Sequence, residues 1–432
     1  PLFIYLLNGN LYYRGKVLIP AIPLFSIIIA DLLTNIVEKK IEIKKLLFIS
    51  TLCVLASLLS LYFNIVFYIE IVCMILIIYF YYKEYTNKKM LILVIMIPAL
   101  ITVYVSNAFE NYVFSSTKGR DQKTSADIEK VLKKEKNLVR FNNLDDTLSN
   151  VNEVYITKYN QDSLYSSVSN PLYKNFYTKV FKNALSYRNN LVLAQNNDIL
   201  FQTFMGVKYI YSKEEVPIGY TKIADNIYKN NNVLPVFYST DDLTSKKVFN
   251  RLNYPYNIGT LLNSVVVDGK STKDATNTIE EIPLDYNVEK EEGVKVSRND
   301  KYIKVKSKGN GRIVLNTNQK LDEEILIIQF KLKDTPDCKK GDARITINGI
   351  SNTLTCKQWI YKNNNKVLNY VISSNKDLSK LEILFDKGVY KIKNIKAYEL
   401  KYSDIEGRKK SLSKFNLNQY KTIGDTITGS ID

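Results

Sequence analysis

The sequence predicts a multi-domain membrane protein: an α-helical transmembrane bundle, then an extracytoplasmic mixed α/β (α+β) unit, then a β-sandwich domain of jelly-roll-like type. Three observations carry this prediction. Four long apolar runs fill the first quarter of the chain, the charged residues concentrate beyond it, and strand patterning punctuated by Gly and Asn takes over after about residue 285. Of 432 residues, 60 are Lys or Arg and 43 are Asp or Glu, a net charge of +17. Residues 1–109 hold only nine of those basic groups and five of the acidic ones, so a net +13 falls on the remainder. This length corresponds to about three units of roughly 150 residues each. The expected divisions are 1–109, 110–284 and 285–432.

The first division is read from run length, because an apolar helix of about 20 residues crosses the hydrocarbon layer. The runs are VLIPAIPLFSIIIADLLTNI (17–36), LLFISTLCVLASLLSLYF (46–63), NIVFYIEIVCMILIIYFYY (64–82) and MLILVIMIPALITVYVSNA (90–108). One such run would fit a buried soluble core, but four in succession with short polar joints do not. The first run lacks a small-residue cleavage site and three more follow it, which excludes a signal peptide. Orientation follows from the Lys-rich joints EKKIEIKK (38–45) and KEYTNKK (83–89), which belong on the cytoplasmic side, whereas the turn at Asn64 has no Lys. Residues 1–16 and everything after about residue 109 then face outward. The predicted location is the cell membrane, multi-pass, with a large extracytoplasmic C-terminal region. The chain opens on Pro1 and closes on the strand-like NQYKTIGDTITGSID, so it is expected to be an internal fragment of a larger protein.

The second division alternates helix and strand patterns. SADIEKVLKKEKN (125–137) reads as a charged helix, NLVRF (137–141) and EVYIT (153–157) as strands, and PLYKNFYTKVFKNAL (171–185) as a helix with Pro in its first turn. DILFQTFM (198–205) reads as a short helix, and VKYIYS (207–212) as a strand after the Gly206 stop; residues 246–267 begin helically and break at Pro255. In the third division eight strands are expected: 302–308, 311–317, 324–333, 343–349, 352–359, 367–374, 380–386 and 390–400.

The absence of His excludes a Ser-His-Asp triad, a His general base and any histidine metal site, and no metal site is expected. Cys53 and Cys73 sit in apolar runs as small packing groups. Cys338 and Cys356 lie 18 residues apart in the outer region and either form a disulfide, worth about 3 kcal/mol on the chain-entropy model, or remain two buried thiols. Glu70 falls inside the third run, where a carboxylate either lines a polar cavity or is satisfied by a neighbouring helix or the interface. Asp31 reads as interfacial. Arg14 and Lys16 flank the first run; they suit either a lipid phosphate or simple interfacial anchoring beside Tyr12 and Tyr13. Tyr165, Asn170 and Tyr173 in YNQDSLYSSVSNPLYKNFY (159–177) mix amides and aromatics as sugar contacts do, though an Asn- and Tyr-rich composition explains them equally. Trp359, the only Trp, is either a sugar platform or rim packing. The basic residues are dispersed and no nucleic-acid motif accompanies them, so no nucleic-acid partner is expected.

LYYRGKVLIPAIPL (11–24), LYSSVSNPLY (164–173), FMGVKYIYS (204–212), PIGY (217–220) and IYKNNNVLPVFY (227–238), in that order, resemble signatures of the bacterial YfhO membrane proteins. The resemblance covers most of residues 1–270; FNLNQYKTIGDTITGSID (415–432) resembles the strand that precedes that family's closing segment. It implies a GT-C type glycosyltransferase that takes a sugar from an undecaprenyl-phosphate carrier at the outer face and adds it to a surface polymer such as lipoteichoic acid. No cofactor beyond the lipid-linked sugar donor is implied. The partners implied are the lipid carrier, an anionic polymer acceptor, and enzymes that make and flip the lipid-linked sugar. The catalytic carboxylate is expected upstream of Pro1. Arg14 and Lys16 would then contact the carrier phosphate, Glu70 would be a polar group in the membrane cavity, and the outer domains would hold the acceptor. The alternative is a non-catalytic, membrane-anchored module that binds carbohydrate or wall polymer.

Overall fold

The computed structural model describes residues 22–38, 40–59, 65–83, part of 89–104, 122–145 except 136–137, 151–152, 159–317 except 167, 169, 189–190 and 194–196, 324–412 except 360 and 375–378, and 417–431 except 424–425. The chain divides into two compact units, 1–120 and 121–432.

In the first unit, helices α1 (Ile22–Val37), α2 (Ile43–Leu59) and α3 (Ile65–Tyr82) hold 16, 17 and 18 residues. The Tyr81 hydroxyl donates to the Ile41 carbonyl and ties the end of α3 to the joint before α2. Among the described residues no helix is long and apolar enough to cross a membrane. The expected α-helical transmembrane bundle is corrected on this finding. The described helices reach at most 18 residues, a rise of about 27 Å at 1.5 Å per residue against a hydrocarbon layer of roughly 30 Å. The apolar runs of the sequence extend into residues outside those described, and the fourth, 90–108, is described only in part.

The second unit begins with α4 (Gln122–Lys133), whose Ile128 and Leu132 are buried against Phe141, Tyr159, Tyr209, Tyr211 and Ile227. They cover a four-stranded sheet of order β1–β4–β6–β5, made of β1 (Arg140–Asn143), β4 (Val207–Tyr211), β6 (Ile227–Asn230) and β5 (Tyr220–Ala224). β1 and β4 run parallel and the other pairs antiparallel. The crossover from β1 to β4 carries a short ribbon of β2 (Leu164–Tyr165) and β3 (Val192–Leu193), helix α5 (Pro171–Asn175), and α6 (Ile199–Phe204). α5 widens into a π-turn at Phe176–Val180, so the helix expected to reach residue 185 stops early. After β6 come β7 (Leu243–Ser245), α7 (Lys246–Phe249), α8 (Tyr256–Asn263) and β8 (Val265–Val267), with Pro255 separating the two helices. The expected strand at 153–157 lies outside the described residues.

Beyond residue 280, nine strands join into one sheet: β9 (Glu280–Ile282), β10 (Tyr286–Asn299), β11 (Tyr302–Thr317), β12 (Glu324–Leu332), β13 (Ala343–Ile347), β14 (Ile350–Leu354), β15 (Val367–Ile372), β16 (Lys380–Phe385) and β17 (Gly388–Lys401). Its β-rich character fits a sandwich, made by folding one sheet over. The fold line is visible in the register. The second half of β11 pairs with β16, Gly311 opposite Phe385, and its first half pairs with β17, Ser307 opposite Gly388. Between the halves Gly309 and Asn310 take positive φ of 119° and 54°, and the Ser307 hydroxyl donates to the Phe385 carbonyl at 3.1 Å across the kink. Val305, Ile313, Leu315, Leu326, Ile328, Phe330 and Tyr370 fill the enclosed core. β10 runs along the other edge of β11 for its full length. Helix α9 (Tyr402–Leu412) follows β17 directly, and β18 (Leu417–Ile423) and β19 (Thr426–Ile431) form a separate hairpin.

The two parts of this unit share a core. Side chains alternate across a strand, so Leu326 and Ile328 of β12 point into the folded sheet while Ile325 and Ile327 point the other way, joining Phe201, Ile210, Ile258, Tyr398 and Ile405. Gly219, at φ +81°, lies so close to Tyr402 at the start of α9 that a Cβ would overlap the phenol ring. Gly219→Ala should therefore cost more than about 2 kcal/mol, from the positive φ and the overlap together. Gly349→Ala, at φ +80° with open space around it, should cost only about 1–2 kcal/mol. Urea denaturation of the two variants measures both, and equal losses would show that the Tyr402 contact is immaterial.

Candidate functional site

Arg14 and Lys16 lie outside the described residues. Glu70 is on the backbone of α3. Asp31, on α1, accepts a hydrogen bond from Asn35 Nδ2 at 3.1 Å on an exposed face.

Tyr165, Asn170 and Tyr173 fall on one segment, and the fold occupies the backbone of Tyr165 and the side-chain polar groups of Asn170 and Tyr173. Asn152 clasps the Tyr165 backbone twice, donating to its carbonyl and accepting from its N–H, both at 2.7 Å. Asn170 is the N-cap of α5, its Oδ1 accepting from Leu172 N at 2.9 Å and Tyr173 N at 3.4 Å, just ahead of Pro171. The Tyr173 hydroxyl donates to the Asp162 carbonyl, and burial, followed by the nearby Asp162 charge, holds its pKa far above the ordinary phenol value.

Trp359 belongs to a different cluster. The Arg188 guanidinium lies 3.7 Å from its ring centroid and Tyr361 meets it edge-on at 6.3 Å. Arg188 is anchored in turn by an ion pair to Asp342 at 3.2 Å and by a contact to Cys356 Sγ at 3.1 Å. Cys338 and Cys356 form a disulfide. One face of the only Trp is thus taken by an arginine from the α/β part, a stacking arrangement worth about 1–2 kcal/mol when partly desolvated. Among the described residues no group of acidic or Cys side chains could hold a metal ion.

Sequence reasoning missed two buried carboxylates. Asp162 sits beneath Tyr173, accepts from Asn142 Nδ2 at 2.6 Å, and leaves Oδ2 without a hydrogen bond. Burial pushes its pKa up to about 6, opposed by the Asn142 bond and the Arg140 charge. Asp198 caps α6 through Leu200 N and Phe201 N at 2.9 and 3.2 Å, and burial pushes its pKa up to about 7. An Asp directly before a short apolar helix is a readable cap signal, but its burial is set by distant packing.

A polar cleft of about 460 Å³ was also missed, because its wall is assembled from segments up to 240 residues apart. It opens where the turn after β1 and the 212–215 loop face the β13–β14 turn and the end of β15. Asn197 Nδ2 donates to the Glu215 carbonyl at 2.6 Å, and the Ser374 hydroxyl donates to the Glu215 carboxylate. Asp145 Oδ1 accepts from Lys213 N at 3.3 Å, with Lys213 Nζ 4.0 Å from Oδ2; Arg312 Nε reaches Glu382 at 2.5 Å, and Lys380 pairs with Glu289 at 2.8 Å. Three shielded atoms in this wall, Asp145 Oδ2, Asn197 Oδ1 and Ser373 Oγ, make no hydrogen bond. A shielded amide or hydroxyl left without a partner costs about 1–3 kcal/mol.

The two buried carboxylates give stability a pH dependence of definite sign. Both hold a proton more tightly folded than unfolded, where the ordinary value is 3.8. Their contribution to stability is therefore fully present below about pH 4 and is lost as pH rises through about 6 for Asp162 and about 7 for Asp198. Asp198→Asn keeps a competent cap and removes the buried charge. It should flatten the slope of melting temperature between about pH 5 and 7 and raise stability above pH 7 by about 2–4 kcal/mol. Melting curves by circular dichroism across that range test this, and an unchanged slope would remove Asp198 as its source.

The family model described as "Bacterial membrane protein YfhO" matches residues 16–432. No curated protein matches the chain. Among solved structures, a family 29 carbohydrate-binding module variant aligns at 11% identity over 28% of this chain and 91% of that chain, with TM-score 0.19. A family 29 module from Piromyces equi aligns at 10% identity over 28% and 89%, with TM-score 0.18. A variant complexed with mannohexaose aligns at 11% identity over 29% and 92%, with TM-score 0.19. At those TM-scores the likeness carries no argument. The family match spans nearly the whole chain, through both compact units, and the chain belongs to the YfhO family of bacterial membrane proteins.

Proposed function

We propose that the protein is a membrane glycosyltransferase that moves a sugar from an undecaprenyl-phosphate carrier to a cell-surface polymer such as lipoteichoic acid, on the outer face. The observation that supports this reading is the family match across residues 16–432. In the transfer, an acceptor hydroxyl oxygen forms a bond to the anomeric carbon. The bond from that carbon to the lipid phosphate breaks, the phosphate leaves with the electron pair, and a carboxylate takes the hydroxyl proton. Arg14 and Lys16 would hold the carrier phosphate, since a guanidinium matches phosphate geometry and an ammonium supplies a point charge. Glu70 would be a polar group near the carrier, and the 121–432 unit would hold the acceptor. The net positive charge of the chain suits an anionic polymer. The enzymes that build and flip the lipid-linked sugar would be its functional partners.

Mass spectrometry of surface polymers from cells with and without the gene tests the reading. Loss of one hexose or acetylhexosamine per repeat, restored by the gene, is the expected result. Arg14→Ala and Lys16→Ala should each lower the restored sugar content about tenfold, the loss of a charge-assisted contact of about 1.5 kcal/mol. Unchanged sugar content in every surface polymer would sink the transferase reading in favour of a membrane-anchored binding module.

A further inference from the structure

We propose that the cleft between the 212–215 loop and the end of β15 binds a neutral, polyhydroxylated saccharide. Its volume, about 460 Å³, lies within the range of roughly 300–1,000 Å³ usual for small-ligand clefts. The wall is two-sided in character. Leu144, Ile350, Ile372 and Leu384 supply apolar surface beside the carboxylates, amides and hydroxyls, and a pyranose ring presents C–H faces and hydroxyl edges to match.

The hydrogen-bonding requirement points the same way. Of the shielded atoms without a hydrogen bond, Asn197 Oδ1 is an acceptor that needs a donor, Asp145 Oδ2 is an acceptor with Lys213 Nζ 4.0 Å away, and Ser373 Oγ, on a residue 9% exposed, can donate or accept. Ligand hydroxyls supply both roles. A phosphate supplies only acceptors and would meet four carboxylates, Asp145, Glu214, Glu215 and Glu382, against one cation, Lys380, which is already paired with Glu289. A cation is not demanded, because Asp145 and Glu382 have Lys213 and Arg312 as counter-charges and Ser374 bonds Glu215. The cleft thus selects neutral over anionic glycan although the chain is strongly basic. This assignment stands on the cleft alone, since a glycan held there need be neither donor nor acceptor of a transfer.

The test is isothermal titration calorimetry on the whole chain in detergent micelles. The probes are maltohexaose, cellohexaose and chitohexaose, with polyglycerol phosphate and trilysine as anionic and cationic controls. At least one neutral hexasaccharide should bind, and Ser373→Val and Asp145→Asn should each weaken it at least tenfold while Trp359→Phe leaves it unchanged. Leu384→Trp, which fills the cleft from a 39% exposed position, should abolish binding and serves if either polar variant fails to fold. The proposal is overturned if no neutral hexasaccharide binds, if binding survives these substitutions, or if either control binds with the same dependence on Asp145. Binding is measured on purified protein and transfer in cells, so either reading can fail without the other.

Discussion

Strand β12 is buried on both faces, and the second unit is organised around that fact. Ile325 and Ile327 close the core of the α/β part while Leu326, Ile328, Phe330 and Leu332 close the folded sheet. Fully burying one such side chain contributes about 1.5–3 kcal/mol. Six of them on one nine-residue strand make it costly for the two parts to separate. β17 and β15 extend the arrangement by sending Tyr398, Leu400 and Val371 into the same α/β core. The two walls of the polar cleft belong to layers that share this apolar seam.

The electrostatic design is uneven. The chain as a whole carries +17, yet the cleft wall is rich in carboxylates, and two further carboxylates are buried without a cationic partner in hydrogen-bond contact. Asp198 is tolerated because backbone N–H groups satisfy it at a helix start, and Asp162 because Asn142 does so in part. Net charge therefore describes the long-range field of the protein, and local acceptor density decides what a particular recess can hold.

The strands of the folded sheet were legible wherever hydrophobic and polar residues alternated or ran together. EILIIQFKLK shows no alternation because both faces are covered, and its continuous apolar run still marks it as a strand. The expected strands 302–308 and 311–317 are one strand, β11, bent at Gly309–Asn310, which in sequence reads as a turn. β10 was not legible: EKEEGVKVSRN is mostly exposed on both faces and offers no apolar period. α9 was also missed, since YSDIEGRKKSL has little apolar periodicity and is held through Tyr402, Ile405 and Leu412. Local signals found the Asn170 region and Trp359 but not that Asn170 is a cap or that Arg188 covers the Trp, because those partners are set by tertiary packing. The transmembrane expectation rested on run length, and among the described residues no helix is long and apolar enough to cross a membrane.

The free edge of β10 has its own significance. Among the described residues this 14-residue strand pairs with β11 on one side alone, and a strand edge left so is a template for strand addition by another chain. Glu289, Lys290, Glu291, Glu292, Lys295 and Arg298 lie along it, and register shifts near Lys290 and Gly293 break its straightness. Any strand approaching that edge would have to desolvate alternating charges and match two irregularities at once. Charge and irregularity along this margin thus oppose the pairing that its open backbone groups would otherwise permit.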